Sequence, residues 1–214
     1  FKERFREKEL EFISLTEVGF IYAMSTQPIN SLQQLQQSKN WSPSGDPISE
    51  SYLKALGITP VQLSIPDVLS SLESGLIETV YNSLYGAIVL QWFTKAKYVI
   101  DQPYGYAYGV FALDSKKFAA LSQAQQQAIH DAAALHFPIL LQKTRESNND
   151  SRRVMVDRGT EFQKFDEKTA QVLQEKRELA VAQLIPDSLS QSIYDQTTTL
   201  LKEYRSKTPG GKAN

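Results

Sequence analysis

A chain of 214 residues is long enough for one large domain or two small lobes, and 41% hydrophobic with 22% charged residues is ordinary for a soluble globular protein. A net charge of −1 without an obviously basic face argues against nucleic acid or an anionic membrane as partner. Cysteine is absent, which excludes disulfides, cysteine-ligated zinc and thiol catalysis, and no apolar run is long enough to span a bilayer. The sequence starts at Phe1 without methionine or signal peptide, as a mature, processed or fragmentary chain would.

Residues 1–9 read as the end of a charged helix, with Phe1 and Phe5 on one side. Leu10 to Tyr22 is apolar and β-prone, and Gly19 breaks it into one or two strands. A turn at Pro28–Ser31 leads into a short helix with a capping box of Ser31 and Gln34. Lys39 to Trp41 reads as a short strand ending in a dense turn cluster, residues 42–47. A helix over 48–56, closed by Gly57, and a strand over 59–63 follow.

The stretch from Ser64 to Tyr98 reads as helix, strand and helix. Pro66 and Asp67 open the first helix, with Asp67 as cap, and Gly75 stops it. Leu76 to Tyr81 alternates as a strand would, and Asn82 or Ser83 caps the next helix. A side chain between a strand's end and a helix's start faces the crevice where α/β sheets bind ligands, which singles out Tyr81 and Asn82. Tyr106 to Leu113 is an aromatic strand. Ser122 and Gln125 form a capping box opening a helix that runs to about Val156, with a kink or break at Pro138. An extended piece at 162–165 and helices at 167–184 and 189–204 complete an α/β lobe with a helical coda.

Chemistry is scarce. His130 and His136 lie six apart on one helix and point to different faces, so they do not share a metal. No nucleophile elbow, zincin, phosphate-loop or dinucleotide motif is present, and nothing calls for a cofactor. Asp67, Glu73 and Glu78 imitate an acid pair, but capping and a polar helix face account for Asp67 and Glu73.

Residues 53–84 resemble the extracytoplasmic solute receptors of TRAP transporters, the DctP-like family. Ala55-Leu56-Gly57, Pro60-Val61, Asp67-Val68-Leu69, Leu72-Glu73, Gly75-Leu76-Ile77-Glu78 and Asn82 carry the likeness. Pro28-Ile29 with Leu32 and Leu35, Ala96 to Val99, and Leu121-Ser122 extend it to about residues 8–185. The resemblance implies an α/β periplasmic-binding-protein type II-like lobe, a mixed sheet flanked by helices, followed by a long helix and C-terminal helices. It divides the chain into a remnant of the first lobe and hinge strand (1–14), a ligand-binding lobe (15–113), the long helix and helical return (114–206) and a disordered tail (207–214). The family carries a large segment before the equivalent of Phe1, so the chain is expected to be a fragment or to have that part supplied by a partner.

The implied function is binding without catalysis. A small organic solute is caught between lobes in the periplasm and handed to the TRAP membrane subunits. The family's ligand-pairing arginine falls at Trp41 here, and a second basic position falls near Ile21. Arginine grips a carboxylate through two parallel charge-assisted bonds, and tryptophan cannot. An apolar or aromatic ligand, not a simple dicarboxylate, is therefore expected, contacted by Trp41, Ser44, Asp46, Ile65, Tyr81, Asn82 and Tyr85. Plainer roles compete: core for Trp41 and Trp92, a cap for Asn82, turn-making for Ser44 and Asp46. The alternative class is a scaffold module without small-molecule ligand. The long helix after Ser122 would serve a homodimer.

Overall fold

The computed structural model describes residues 2–186 and 189–207. In chain order the elements are α1 (Lys2–Arg6), β1 (Leu10–Ser25), α2 (Leu32–Gln37), β2 (Trp41–Pro43), α3 (Pro47–Ala55), β3 (Val61–Leu63), α4 (Val68–Ser74), β4 (Thr79–Asn82) and α5 (Leu84–Val89). Then come β5 (Tyr98–Ile100), β6 (Gly105–Asp114), α6 (Ser115–Ala119), α7 (Gln123–Asp157), β7 (Glu161–Gln163), α8 (Glu167–Gln183) and α9 (Gln191–Lys207). Apart from Lys207, which ends α9, the expected disordered tail lies outside the described residues.

Local signals place most helices. Ser31 and Ser122 accept from the backbone N–H three residues on, and Gln125 answers Ser122 to complete a capping box. Gly75 closes α4 in the left-handed conformation. Two expectations change and two open readings are narrowed. Asp67 does not cap α4; its carboxylate accepts from the Ser64 hydroxyl, and residues 65–67 form a 3-10 turn. The strand expected at 76–81 begins at Thr79, because Leu76 and Ile77 turn back to hydrogen-bond Ser71 and drop Ile77 into the core. β1 is one 16-residue strand that absorbs Gly19 in a bulge. Finally, α7 carries Pro138 within a single 35-residue helix. Proline has no N–H to offer the Ala134 carbonyl, a local loss in a long helix.

The main sheet runs β4-β1-β5-β7, and β2 pairs with β3 beside it. A parallel bridge between Asn40 and Thr79 joins the two. β1 is antiparallel to β4 and β5, β7 is parallel to β5, and β3 is parallel to β2. Every strand of the lobe except β1 therefore points the same way. Their C-terminal ends, at Pro43, Leu63, Asn82, Ile100 and Gln163, share one edge. From that edge β1 and β6 leave together as a long antiparallel ribbon.

Both faces of the sheet are covered. On one, Met24, Trp41, Val80 and Val99 meet Val68, Leu72, Leu84, Ala87, Trp92 and Met155. On the other, Ala23 and Ile100 meet Leu35, Leu53 and Leu56, and α8 adds Leu173 and Ala180. A small third cluster of Ile13, Phe118 and Ala133 lies along the ribbon.

Ser83, not Asn82, caps α5: its hydroxyl accepts from Gly86 N–H at 3.0 Å and is fully buried. Ser83→Ala is expected to cost about 1 kcal/mol, the usual value of an N-cap, read as a shifted urea midpoint with unchanged slope. A midpoint equal to wild type would show that the cap contributes nothing.

Candidate ligand-binding edge

Ligands of α/β sheets gather where strand C-termini open into loops. At this edge the chain presents Ser44 after β2, Ser64 and Ile65 after β3, Asn82 at the end of β4, and half-buried Tyr22 opposite Asn82 in the ladder. Ile65 is 49% exposed and Tyr85, in the first turn of α5, is 42% exposed. The Asn82 side-chain oxygen accepts from Ser83 N–H at 2.8 Å, a bond that leaves the amide Nδ2 unused. A Cβ on Gly86 would collide with that oxygen, so the missing side chain at 86 is what lets Asn82 keep this orientation.

The long helix closes one side. Arg145, Asn148 and Arg152 follow at helical spacing and face the edge and ribbon. Arg152 pairs with Asp101 at the end of β5 and stacks on Phe162, 4.0 Å from its centroid. Asn148 donates to Val18 C=O at 2.9 Å and accepts from Tyr85 N–H at 3.2 Å, tying ribbon, α5 and α7 together. Arg145 holds Glu17 through two bonds of 2.6 Å. That grip, chiefly, keeps the Glu17 carboxyl below its ordinary range. Desolvation and then the Glu17 carboxylate push the Tyr106 phenol up to about 12. Both cations beside the edge are thus neutralised within the chain.

The seven expected contacts divide. Ser44, Ile65, Asn82 and Tyr85 come together at the edge. Asp46 is adjacent, but its carboxylate caps α3, accepting from Ile48 N–H and Ser49 N–H at 3.1 Å and from the Ser49 hydroxyl at 2.6 Å. Trp41 is a correction: it is 2% exposed, its ring meets Trp92 edge-on at 5.2 Å, and its N–H donates to Leu63 C=O at 3.0 Å. It offers a ligand neither face nor donor, because the sheet's first core closes over it. Tyr81 faces the second core, where its hydroxyl donates to Asn40 at 2.5 Å and its ring meets Tyr104. Burial, then Tyr104 and Tyr52, drive its pKa well above the ordinary value. The cavity beside it, also lined by Tyr52, Tyr104, Leu173 and Arg177, measures about 30 Å³, room for about one water. Tyr22, Glu17, Arg145 and Asn148 were not singled out from sequence. The visible signal was Arg-x-x-Asn-x-x-x-Arg at helical spacing in α7.

The sequence profile of the bacterial extracellular solute-binding proteins, family 7 (DctP), matches residues 1–186. The chain belongs to this family. It is a family of extracellular solute-binding proteins, binders and not enzymes. No helix among the described residues is long and apolar enough to cross a membrane. No curated protein sequence matches the chain. Solved structures of TRAP solute-binding proteins share the fold. One, from Roseobacter denitrificans with bound L-galactonate, is 21% identical over 91% of this chain and 64% of its own, with a TM-score of 0.81. The pyroglutamic acid receptor of Bordetella pertussis is 17% identical over 95% and 65%, with a TM-score of 0.82. The ectoine-binding protein of Halomonas elongata is 19% identical over 95% and 66%, with a TM-score of 0.84. This DctP-family chain therefore spans about two thirds of their length or slightly less.

Proposed function

We propose that the protein is the solute receptor of a TRAP-type transporter, taking a small organic solute without strong negative charge against the strand-end edge and passing it to the membrane subunits. One observation carries the charge preference: the edge presents neutral polar groups (Asn82, Ser44, Tyr22) beside exposed Ile65 and Tyr85, while the flanking Arg145 and Arg152 are already paired with Glu17 and Asp101. A carboxylate brought there would lose hydration without gaining a free cation.

A thermal-shift screen of neutral aromatic and polyol solutes against dicarboxylates tests this, because a solute that binds only the folded state raises Tm. Neutral solutes are expected to stabilise and dicarboxylates to leave Tm unchanged; the reverse order would overturn the charge preference. With a stabilising solute in hand, Asn82→Ala is expected to weaken its affinity about tenfold, the worth of one well-aligned bond in a closed site, by calorimetry. An unchanged affinity would remove Asn82 from the site. If no solute acts and light scattering shows a stable protein complex, the scaffold reading replaces this one.

A further inference from the structure

We propose that Glu17 is a built-in counter-ion that keeps the receptor from taking carboxylate solutes, by filling the forked grip of Arg145 that a ligand carboxylate would otherwise occupy. The proposal rests on the strand-end edge being the solute site, and adds the residue that sets its charge specificity.

Three observations carry it. The first is position. Glu17 and Arg145 adjoin the edge through Asn148, which bonds the carbonyl of Val18 and the N–H of Tyr85, three residues beyond Asn82. The pair therefore stands on the ribbon, four residues of β1 before Ile21, where β1 and β6 leave the lobe.

The second is geometry. Nε and Nη2 of Arg145 each reach one Glu17 oxygen at 2.6 Å, the parallel fork with which arginine recognises a free carboxylate. The two side chains are unequally placed: Glu17 is 12% exposed and Arg145 is 60% exposed. The carboxylate sits behind the cation, and the guanidinium lies on the solvent side.

The third is backbone design. The register of β1 against β6 slips between Glu17 and Gly19, and a bulge of this kind re-aims a side chain. The slip coincides with the point where Glu17 meets α7. A simple tie between helix and ribbon already exists one turn away at Asn148, so the tie does not require an ionic pair.

Calorimetry on the protein and on Glu17→Gln, with pyroglutamate and galacturonate as carboxylate probes and the best neutral hit as reference, tests this. E17Q keeps the shape, withdraws the charge and frees Arg145. It is expected to bind at least one carboxylate probe about tenfold or more tighter than wild type, the worth of a charge-assisted pair. Affinity for the neutral reference should stay within about twofold of wild type, because that solute has no charge for Arg145 to pair. Adding Arg145→Gln must abolish the gain, which a purely structural role for Glu17 would not require. The proposal is overturned if folded E17Q shows no carboxylate gain, or if the gain survives in the double variant. Should E17Q fail to fold, Glu17→Asp, which draws the carboxylate back by one methylene, must show a smaller gain in the same direction. The receptor reading itself falls on a different result, wild type binding no solute of any charge.

Discussion

Trp41→Ala is expected to lower the unfolding free energy by about 3–5 kcal/mol, the range for truncating a large aromatic in a packed core. The ring is 2% exposed, meets Trp92 at 5.2 Å and is surrounded by Met24, Val80 and Leu84 in one buried cluster. Alanine removes the indole from both layers at once and leaves the Leu63 carbonyl without its 3.0 Å donor. Urea unfolding followed by tryptophan fluorescence reads the loss. A change under about 1 kcal/mol would mean that the cluster can collapse onto the void and that Trp41 is not a keystone of the first core. Trp41→Arg installs the residue type that the resemblance implies, yet it places a guanidinium in a cluster of buried apolar side chains. It is expected to destabilise at least as much as alanine and not to create a carboxylate grip.

Gly19→Ala carries the second large effect, through the backbone. Gly19 has φ +111, a conformation that L side chains rarely adopt, inside the bulge that re-registers β1. A Cβ there would lie 2.7 Å from Nδ2 of Asn148. Either the strand shifts or Asn148 gives up its bond to Val18, and with it the link to α5. The expected cost is about 1–3 kcal/mol, a drop in Tm of roughly 2–12 °C for a chain of this size. Scanning calorimetry checks it. A Tm within about 1 °C of wild type would show that the bulge tolerates a side chain. Because the same bulge stands beside Glu17, a solute-binding change in Gly19→Ala is expected alongside the loss of stability.

Both predictions concern positions that sequence reading placed differently, and the reasons are physical. Ser31, Ser122 with Gln125, and Gly75 were legible because a cap or a stop is settled within about four residues of chain. Asn82 was legible as a strand-to-helix junction, and it lies at the edge. Trp41 was not. A tryptophan at a strand start suits a cleft wall and a core equally, and the choice is made by Trp92 and Leu63, 51 and 22 residues away. The 76–81 alternation misled for a similar reason: burying Ile77 against the α4 core outweighs continuing the pleat. Arg145 and Glu17 look like ordinary surface charges in sequence, being 128 residues apart.

By itself the sequence determined the alternation of helices and strands, most helix ends, the absence of thiol chemistry and membership of a solute-binding family. Those follow from local bonding, composition and a residue pattern that survives without coordinates. Tertiary structure alone decided which face of each strand meets water. It buried Trp41, brought Ser44, Ile65, Asn82 and Tyr85 to one edge, and set Glu17 against Arg145. The reason is that burial and ion pairing are settled between elements far apart in the chain, and no short window of residues contains both partners.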